Sequence, residues 1–269
     1  MPHATRDNIR LFWKEVGTGE PLLLIMGLGA THVWWHRLTP ILSSRFRTIL
    51  FDNRGVGESD MPPGPYDMSA MADDAMAVLD AAKVETAHVF GASMGGMIAQ
   101  EVVLRHPQRV RSLILGCTAC GGRDVVPAAR EIREMLNTRG TMTREESTRQ
   151  MVPYTFDAGT PRERIDEDIA VRLAANVPTD GYFAQLDAIR AWTGTLPRLH
   201  TITTPTLVIH GETDALVPAE NGRIIARAIP GAQLVMLPNA SHIFYTDQTE
   251  ASADAILSFL GSQVAPCRS

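Results

Sequence analysis

Gly91-Ala92-Ser93-Met94-Gly95-Gly96 is the stretch that decides the fold, because it sets a glycine-framed serine between an apolar run and a helix with apolar periodicity. A serine at the top of a tight turn from a strand into a helix has a strained backbone conformation. Glycines two residues before and after it remove the Cβ clashes of such a turn and leave the hydroxyl protruding. The pattern therefore predicts Ser93 as a nucleophile. The alternative is an ordinary loop between a strand and a helix.

Apolar runs of strand length, without alternation, recur on both sides of this stretch. Such runs are typical of strands covered on both faces, as in a parallel sheet with helices on each side. Helical patterns lie between several of them, which predicts βαβ units in a doubly wound, mostly parallel α/β sheet. The predicted strands are residues 8–17, 22–26, 48–51, 88–90, 110–115, 205–211 and 233–238. The predicted core helices are residues 31–43, 67–82 and 247–260, together with the helix that leaves Ser93.

The pattern changes between residues 121 and 197, where no buried-strand run occurs. Thr143 and Glu146 have the capping-box spacing for a helix start in this region. Further helices are predicted at residues 127–138, 161–175 and 179–192. We interpret residues 121–197 as an all-helical insertion, called the cap below. The predicted organisation is a first core segment at 1–120, the cap at 121–197 and a second core segment at 198–269.

Composition limits the classes of function. The 269 residues include 45% hydrophobic residues, and 25 Lys plus Arg against 30 Asp plus Glu give a net charge of −5. No basic cluster is present to neutralise a row of phosphates, so nucleic acid is not an expected partner. Three cysteines are too few for a disulfide framework and the N-terminus has no apolar signal core, so a cytoplasmic protein is expected. The apolar runs are far shorter than the roughly 18 residues of a membrane span, so no membrane insertion is expected.

Two loops supply the partners that an activated serine needs. A serine hydroxyl is a poor nucleophile unless a base takes its proton, and a carboxylate fixes the tautomer of that base. Asp214 follows the predicted strand at 205–211, and His242 follows the one at 233–238. Loops beyond the carboxyl ends of parallel strands share one edge, so Ser93, Asp214 and His242 are predicted to converge as a catalytic triad. The alternative is a turn aspartate and a loop histidine with structural partners.

An oxyanion hole is predicted from main-chain groups. The tetrahedral intermediate of acyl transfer places negative charge on the former carbonyl oxygen. The glycine-rich loop after the strand at 22–26 aims the backbone N–H of Leu28 at that charge, and the start of the helix after Ser93 contributes the N–H of Met94. We therefore assign the hole to Leu28 and Met94.

The sequence resembles the α/β-hydrolase superfamily over nearly its whole length. The resemblance is carried by Met26-Gly27-Leu28-Gly29, Asp52-x-Arg54-Gly55-x-Gly57-x-Ser59, Gly91-x-Ser93-x-Gly95-Gly96, Gly211-x-x-Asp214 and His242. It implies the α/β-hydrolase fold, with the cap as its most variable part. It lies closest to esterases and lactonases of the enol-lactonase type, especially through residues 182–186 and 196–199. Many members have His-Gly where this chain has Met26-Gly27.

Three other groups of residues are candidates for a function. Cys117 and Cys120 have redox or zinc spacing, although a zinc site needs two further ligands. His32 and His36 are four apart on the predicted helix, as paired metal ligands often are, and we interpret them as polar residues near the pocket mouth. Asp124 is an alternative acid for the triad, because some hydrolases of this fold carry the acid after an earlier strand.

The triad and the hole predict acyl transfer on a small-molecule ester or lactone, acyl-homoserine lactones included. Ser93 attacks the carbonyl, and His242 passes the proton to the leaving group and then activates water. No cofactor and no metal are expected. An apolar acyl group of short to medium length is expected, because Met and aromatic residues of the cap are placed to line a pocket or, alternatively, to form the core of the cap. These residues are Met135, Met142, Met151, Phe156, Phe183, Leu186 and Trp192.

Other classes of function are alternatives. A carbon–carbon bond hydrolase or a perhydrolase of the same fold uses the same triad. The carbon–carbon bond hydrolases, however, resemble Gly-Asn-Ser-Met-Gly around the serine, and this chain has Ala92 in place of that Asn. The fold also serves as a ligand receptor or scaffold, for which loss of the triad is the expected sign. The complete set of Ser93, Asp214 and His242 favours an enzyme, and multiple turnover separates it from a receptor.

Overall fold

An eight-stranded sheet forms the centre of the molecule in the computed structural model, which describes residues 2–263 except for the side chain of Asp124. The strands are β1 (His3–Arg6), β2 (Ile9–Val16), β3 (Glu20–Ile25), β4 (Phe46–Phe51), β5 (Ala87–Ala92), β6 (Val110–Gly116), β7 (Thr206–Gly211) and β8 (Gln233–Leu237). Their order across the sheet is β1-β2-β4-β3-β5-β6-β7-β8. β2 pairs antiparallel with β1 and β4, whereas β4, β3, β5, β6, β7 and β8 run parallel. The predicted doubly wound, mostly parallel sheet is confirmed.

Helices pack on both faces of the sheet and fill the connection between β6 and β7. The α-helices are α1 (Thr39–Leu42), α2 (Met68–Ala81), α3 (Met94–Arg105), α4 (Arg130–Met135), α5 (Arg144–Gln150), α6 (Val152–Thr155), α7 (Arg162–Ala174), α8 (Thr179–Ala191), α9 (Leu196–Leu199), α10 (Glu220–Ala228), α11 (Phe244–Asp247) and α12 (Thr249–Gly261). Short 3-10 helices occur at His32–Trp35, Pro107–Arg109, Gly122–Asp124 and Thr138–Gly140. No helix within residues 2–263 has the length and apolarity needed to cross a bilayer.

The apolar run in β3 is explained by burial on both faces. Leu23 and Ile25 belong to the hydrophobic cluster that includes residues of α2 and α3. Leu22 and Leu24 point the other way, into the cluster that includes residues of α12. All four side chains are fully buried. Because neither face of the strand meets water, the sequence shows no alternation of apolar and polar residues.

The loops after four parallel strands meet at one edge of the sheet. The loop after β3 contains Leu28, and the turn after β5 contains Ser93. The loop after β7 contains Asp214, and the loop after β8 contains His242. All four strands are neighbours or near neighbours in the sheet, so their carboxyl ends present these residues to one site.

The prediction of one continuous helix at residues 31–43 is wrong. The structure has a 3-10 helix at His32–Trp35 and then the separate, one-turn helix α1. Pro40 lies in the first turn of α1. Proline has no backbone N–H and its ring clashes with the preceding turn, so it is tolerated at a helix start and breaks a helix interior.

Only helices, turns and irregular segments lie between β6 and β7 in the described residues. α5 begins at Thr143 with the predicted capping box, in which Thr143 and Glu146 exchange side-chain to backbone hydrogen bonds. α4 is shorter than the helix predicted at 127–138, and a 3-10 turn follows it. α9 crosses residue 197, and its Leu199 is already packed in the cluster beneath the sheet.

Candidate active site

Ser93 lies in a strained turn between β5 and α3. Its backbone has φ 56° and ψ −123°, a conformation that costs a non-glycine residue about 1–3 kcal/mol. A Cβ on Gly91 would lie 2.1 Å from the Gly95 carbonyl oxygen, and one on Gly95 would lie 2.0 Å from the Ile25 carbonyl oxygen. The close approach of three backbone segments therefore explains why both positions are glycine.

The hydroxyl of Ser93 faces His242 across the edge of the sheet. Ser93 Oγ is 3.0 Å from His242 Nε2, and His242 Nδ1 is 2.9 Å from Asp214 Oδ2. The structure thus brings the three residues predicted as a triad into one hydrogen-bonded chain, although 149 residues separate Ser93 from His242. In this arrangement His242 donates Nδ1–H to Asp214 and accepts the serine proton at Nε2.

Asp214 is held as a carboxylate. Burial of its side chain raises the pKa of the group, but the nearby His242 and the hydrogen bonds from His210 and His242 outweigh burial and lower the pKa to about 2. The backbone N–H groups of Leu216 and Val217 also donate to Oδ1, at 3.0 and 2.8 Å. A negative charge is therefore present at neutral pH to stabilise a protonated imidazole at His242.

His210 is a second histidine on Asp214 that the sequence analysis did not identify. Its Nε2 lies 2.8 Å from the Val217 carbonyl oxygen and 3.2 Å from Asp214 Oδ2. Because a carbonyl oxygen only accepts, Nε2 carries a proton and donates it. The signal in the sequence was a histidine within the fully buried strand β7, four residues before the acid.

Leu28 and Met94 line the same cavity as Ser93. Neither backbone N–H has a hydrogen-bond acceptor in the described structure. Met94 is the first residue of α3, where backbone N–H groups have no partner within the helix. A Cβ on Gly27 would lie 3.3 Å from Ser93 Oγ, so the loop that carries Leu28 passes directly beside the hydroxyl. The two amides predicted for the oxyanion hole are thus available to a substrate oxygen.

Gln185 of α8 ties the cap to the oxyanion loop, and the sequence analysis did not assign it a role. Its Oε1 accepts from the backbone N–H of Gly29 at 2.9 Å, and its Nε2 donates to the Arg54 carbonyl oxygen at 2.8 Å. The side chain is fully buried. A buried amide with both ends bonded to backbone fixes the position of the loop one residue after Leu28.

Asp247 holds the loop that carries His242. Its carboxylate accepts from the backbone N–H of Ser241 at 2.7 Å and from Thr160 Oγ1 at 2.6 Å. The backbone N–H of Asp157 is a third donor, at 3.2 Å. Burial raises the pKa of Asp247 to about 6, although these hydrogen bonds act in the opposite direction. Since Thr160 and Asp157 belong to the cap, one carboxylate joins the cap to the histidine loop.

A cavity of about 290 Å³ has Ser93 and His242 in its wall. Of the residues predicted to line a pocket, Met135, Met151 and Leu186 do so. The cavity is therefore enclosed between the edge of the sheet and the cap, with apolar side chains from the cap facing the nucleophile.

Trp192 and Phe156 do not line this cavity, and their assignment to it is wrong. Trp192 Nε1 donates to Glu101 Oε1 at 2.9 Å, which turns the indole toward α3. Phe156 is buried in the core cluster, and the guanidinium of Arg172 lies over its ring at 5.2 Å. Both aromatic side chains hold the cap on the core.

Phe183 and Met142 are likewise outside the cavity wall. Phe183 packs edge-on against Tyr182, with ring centroids 5.4 Å apart, and Tyr182 rather than Phe183 faces the cavity. Met142 immediately precedes Thr143, the N-cap of α5, where the backbone turns into the helix. Spacing along a helix identified the apolar face of the cap but not the part of that face that meets Ser93.

His32 and His36 do not line the cavity, although Ala30 and Trp34 of the same segment do. His32 Nδ1 lies 2.8 Å from Asp52 Oδ1 in the interior, and His36 Nε2 lies 3.3 Å from Asp168 Oδ1. Neither residue is among those lining the cavity. Each histidine therefore has a carboxylate partner in the body of the protein.

Cys117 lies beside the triad, whereas the side chain of Asp124 is outside the described structure. The potential ligand atoms of Cys117, Asp214 and His242 lie within 4.8 Å of one another. Burial, and then the charge of Asp214, raise the pKa of Cys117 well above its ordinary value, so the sulfur is a protonated thiol. Cys117 and Cys120 are both buried, and neither forms a disulfide within residues 2–263.

Comparison with known proteins places this fold and site in a family. Residues 20–144 match the family described as alpha/beta hydrolase fold, and residues 191–268 match the family described as TAP-like protein. The chain belongs to the α/β-hydrolase family. Within it, the protein is of the esterase and lactonase type.

Similar proteins cover nearly the whole chain. The poly(3-hydroxyalkanoate) depolymerase of Ectopseudomonas oleovorans is 32% identical over 89% of this chain and 84% of its own length. The solved structure of the enol-lactonase from Burkholderia xenovorans LB400 has a TM-score of 0.86 at 27% identity, over 97% of this chain and 100% of that one. A thermophilic esterase from Thermogutta terrifontis has a TM-score of 0.83 at 29% identity, over 96% and 95% of the two chains.

Proposed function

We propose that this protein is a serine hydrolase that cleaves carboxylic esters or lactones through an acyl-serine intermediate. The observation that carries the proposal is the hydrogen-bonded chain from Ser93 Oγ through His242 to Asp214, which opens into a cavity beside two unpaired backbone amides. Nucleophile, base, orienting acid and oxyanion donors are the four parts that acyl transfer requires.

Acylation begins when Ser93 Oγ bonds to the substrate carbonyl carbon while its proton moves to His242 Nε2. The former carbonyl oxygen becomes negative and is bound by the N–H groups of Leu28 and Met94. The intermediate then collapses, the bond to the leaving oxygen breaks, and that oxygen takes the proton from Nε2. Asp214 stabilises the imidazolium throughout. In a lactone, the released hydroxyl stays in the acyl group.

Deacylation repeats the sequence with water. Water gives a proton to His242 Nε2 as its oxygen bonds to the acyl carbon, and the same two amides hold the oxyanion. The bond to Ser93 Oγ then breaks, and Oγ recovers the proton. The free acid leaves and the enzyme is restored, so the chain's own residues complete the cycle.

The cavity and the similar proteins support this choice of substrate class. Met135, Met151 and Leu186 offer an apolar surface to an acyl group, and about 290 Å³ accommodates one of short to medium length. The similar proteins are named as a depolymerase of poly(3-hydroxyalkanoate), an enol-lactonase and an esterase. A cytoplasmic setting forms part of the proposal, on the small number of cysteines in the sequence.

A hydrolysis panel tests the proposal. Aryl esters of increasing acyl length, simple lactones and acyl-homoserine lactones are offered to the wild type, to Ser93→Ala and to Ser258→Ala, whose serine is exposed on α12. Multiple turnover by the wild type and by Ser258→Ala, with loss of at least about 1,000-fold in Ser93→Ala, is expected. Undiminished turnover by Ser93→Ala contradicts the mechanism.

An active-site phosphonate ester provides the second measurement. It is expected to add one equivalent to the wild type, with the mass located on the peptide that contains Ser93, and none to Ser93→Ala. A single equivalent of product released from an ester without further turnover indicates a receptor. Turnover confined to carbon–carbon substrates or to perhydrolysis indicates the alternative reactions of the same triad.

A further inference from the structure

The charge of the cavity wall differs from that of the whole protein. The chain has a net charge of −5, yet Arg133, Arg139 and Arg172 line the cavity and no aspartate or glutamate does so among the described residues. The sequence analysis considered only its apolar residues. A wall with three guanidinium groups and no carboxylate attracts an anion.

Arg172 is the most buried of the three. Its residue is 7% exposed, and its guanidinium makes no hydrogen bond in the described structure. The nearest carboxylate oxygen, Asp168 Oδ2, is 3.7 Å away. The guanidinium lies over the ring of Trp34 at 4.1 Å and over Phe156 at 5.2 Å. Stacking on aromatic faces fixes the planar group and leaves its N–H donors without acceptors.

Arg139 lies on another part of the wall, beside the oxyanion loop. A Cβ placed on Gly29 would be 3.2 Å from Arg139 Nη1. The guanidinium lies over Tyr182 at 4.4 Å, and among residues 2–263 it has neither a hydrogen-bond acceptor nor a carboxylate partner. Burial lowers the pKa of Arg139 and of Arg172. Both charges are therefore desolvated without full compensation.

Asp168 already has better partners than Arg172. Arg37 Nε donates to Asp168 Oδ1 at 2.8 Å, and Thr246 Oγ1 donates to Oδ2 at 2.6 Å. Arg54, another buried arginine, is paired bidentately with Asp74 at 2.6 and 2.7 Å. Arg54 thus has a close carboxylate pair, as a buried charge requires, and Arg172 lacks one on its cavity side.

We propose that the cavity binds substrates that carry a carboxylate. This carboxylate pairs with the guanidinium of Arg172, which lacks a close carboxylate partner within the described residues. This inference rests on the proposed function, since it defines the ester or lactone as an anionic one. Arg139 adds positive potential near the oxyanion loop. A planar carboxylate matches the fork of a guanidinium and is bound through charge-assisted hydrogen bonds. The apolar cap residues then contact the chain between the carboxylate and the reacting carbonyl.

A matched pair of esters tests the charge alone. The 4-nitrophenyl hemiester of adipic acid carries a terminal carboxylate, and the corresponding terminal amide is a neutral isostere. The wild type is expected to show kcat/KM at least about 10-fold higher for the acid, because a hydrogen bond to a charged group is worth about a factor of ten or more. Arg172→Gln is expected to remove that preference, so that the ratio of kcat/KM for the acid over kcat/KM for the amide falls to about 1.

The control is Arg37→Gln. This variant removes the other arginine on Asp168, which does not line the cavity, and it is expected to retain the preference for the acid. Arg172→Lys, which keeps the charge but not the fork, is expected to be intermediate. Thermal unfolding shows whether each variant folds. Should Arg172→Gln not fold, the preference for the acid over the amide is measured in Arg139→Gln and in the wild type. A reduced preference in Arg139→Gln supports the anion site, and equal kcat/KM for acid and amide in the wild type overturns it.

Binding to Ser93→Ala separates this inference from the proposed function. Calorimetry with the intact hemiester and the amide measures affinity without turnover. Selective binding of the acid without wild-type turnover supports the anion site and overturns the serine mechanism. Equal binding and equal turnover of acid and amide overturn the anion site and leave the serine mechanism standing.

Discussion

The carboxyl edge of the sheet and the cap are built differently. Ser93 and Asp214 follow the buried strands β5 and β7, whose ladders fix each backbone on two sides, and His242 follows the edge strand β8, which pairs with β7. The cavity-facing residues of the cap stand on short helices, such as Thr155 on α6 and Leu186 on α8, or on the segments between helices, such as Val126. A strand end places a catalytic atom by backbone pairing, whereas a cap residue faces the substrate only through the packing of its neighbours. From this difference we predict that residues at the carboxyl edge of the sheet carry out the reaction and that residues of the cap select the substrate.

Several hydrogen bonds join the cap to the core, and two groups of them hold the loops of the candidate active site. Gln185 of the cap bonds to the oxyanion loop, and Asp247 of the core bonds to Thr160 and Asp157 of the cap. These residues show where the cap is expected to influence catalysis as well as selection.

The largest effect is expected from Asp214→Asn at the edge. The amide offers a donor where His242 needs an acceptor, so the imidazole is no longer held in the tautomer and orientation that the reaction needs. We expect kcat to fall about 1,000- to 10,000-fold for every substrate, by analogy with other Ser-His-Asp enzymes. Steady-state rates with a neutral and a charged ester check this. A fall confined to one of the two substrates contradicts the assignment of chemistry to the edge.

Gln185 lies in the cap, but Gln185→Leu is expected to lower the reaction rate as a substitution at the carboxyl edge of the sheet does. It removes the acceptor of the Gly29 amide, so the oxyanion loop loses one buried hydrogen bond. We expect kcat to fall about 10-fold with KM little changed, in line with about 1–3 kcal/mol for an unsatisfied buried donor. The affinity for a boronic acid should fall by the same factor.

The matched control for this substitution is Asp187→Asn, which changes an exposed residue on the same helix. It is expected to leave kcat, KM and boronate affinity unchanged. Equal effects of the two variants, or an effect of Gln185→Leu on KM alone, would show that Gln185 only supports the cap.

Asp247→Asn tests the contact between the cap and the histidine loop through pH. Burial raises the pKa of Asp247 to about 6 from an ordinary 3.8, so the folded protein holds this proton more tightly than the unfolded chain. The free energy of unfolding of the wild type should therefore gain, relative to Asp247→Asn, about 2–3 kcal/mol as pH falls from 7 to 4. Chemical denaturation at several pH values measures the difference. Parallel curves for the two proteins would contradict it.

The smallest effect is expected from Thr143→Ala, which removes the capping box of α5. Loss of an N-cap costs about 1 kcal/mol, and this helix contains no fully buried residue. Hydrogen exchange of the α5 amides should accelerate about 5-fold, the free energy of global unfolding should fall by no more than about 1 kcal/mol, and turnover should stay unchanged. Glu146→Gln keeps the capping-box chemistry and should exchange at the wild-type rate. Slower turnover in Thr143→Ala would mean that the cap is coupled to the edge more tightly than described.

The sequence predicted the sheet and the approach of Ser93, Asp214 and His242, because buried parallel strands leave a continuous apolar signature and their loops share an edge. It did not predict β1 or α10, which lie outside any continuous apolar run. The missed Gln185 has partners that are distant in the chain, and the missed His210 contacts Asp214 and Val217 only because the loop after β7 folds back on the strand. Partnerships of that kind depend on three-dimensional packing and leave no local pattern.

The same dependence on three-dimensional packing explains why the sequence predicted only part of the cavity wall. Met135 and Leu186 face the cavity, whereas Trp192 turns to Glu101 and Phe156 lies under Arg172. All four are large apolar residues of the cap, so periodicity cannot rank them. Arg172 and Arg139 are inconspicuous in a sequence rich in arginine. Their significance comes only from the absence of an acceptor around a buried charge.

The order of the strands has a consequence for the nascent chain. Ser93 is synthesised with the first half of the sheet, but His242, the base that we propose activates it, follows 149 residues later, after β8. Fragments that end before β8 carry the serine without its base. Hydrolytic activity should therefore appear only once synthesis has passed His242 and the last parallel strand has docked, so that the appearance of activity reports completed folding.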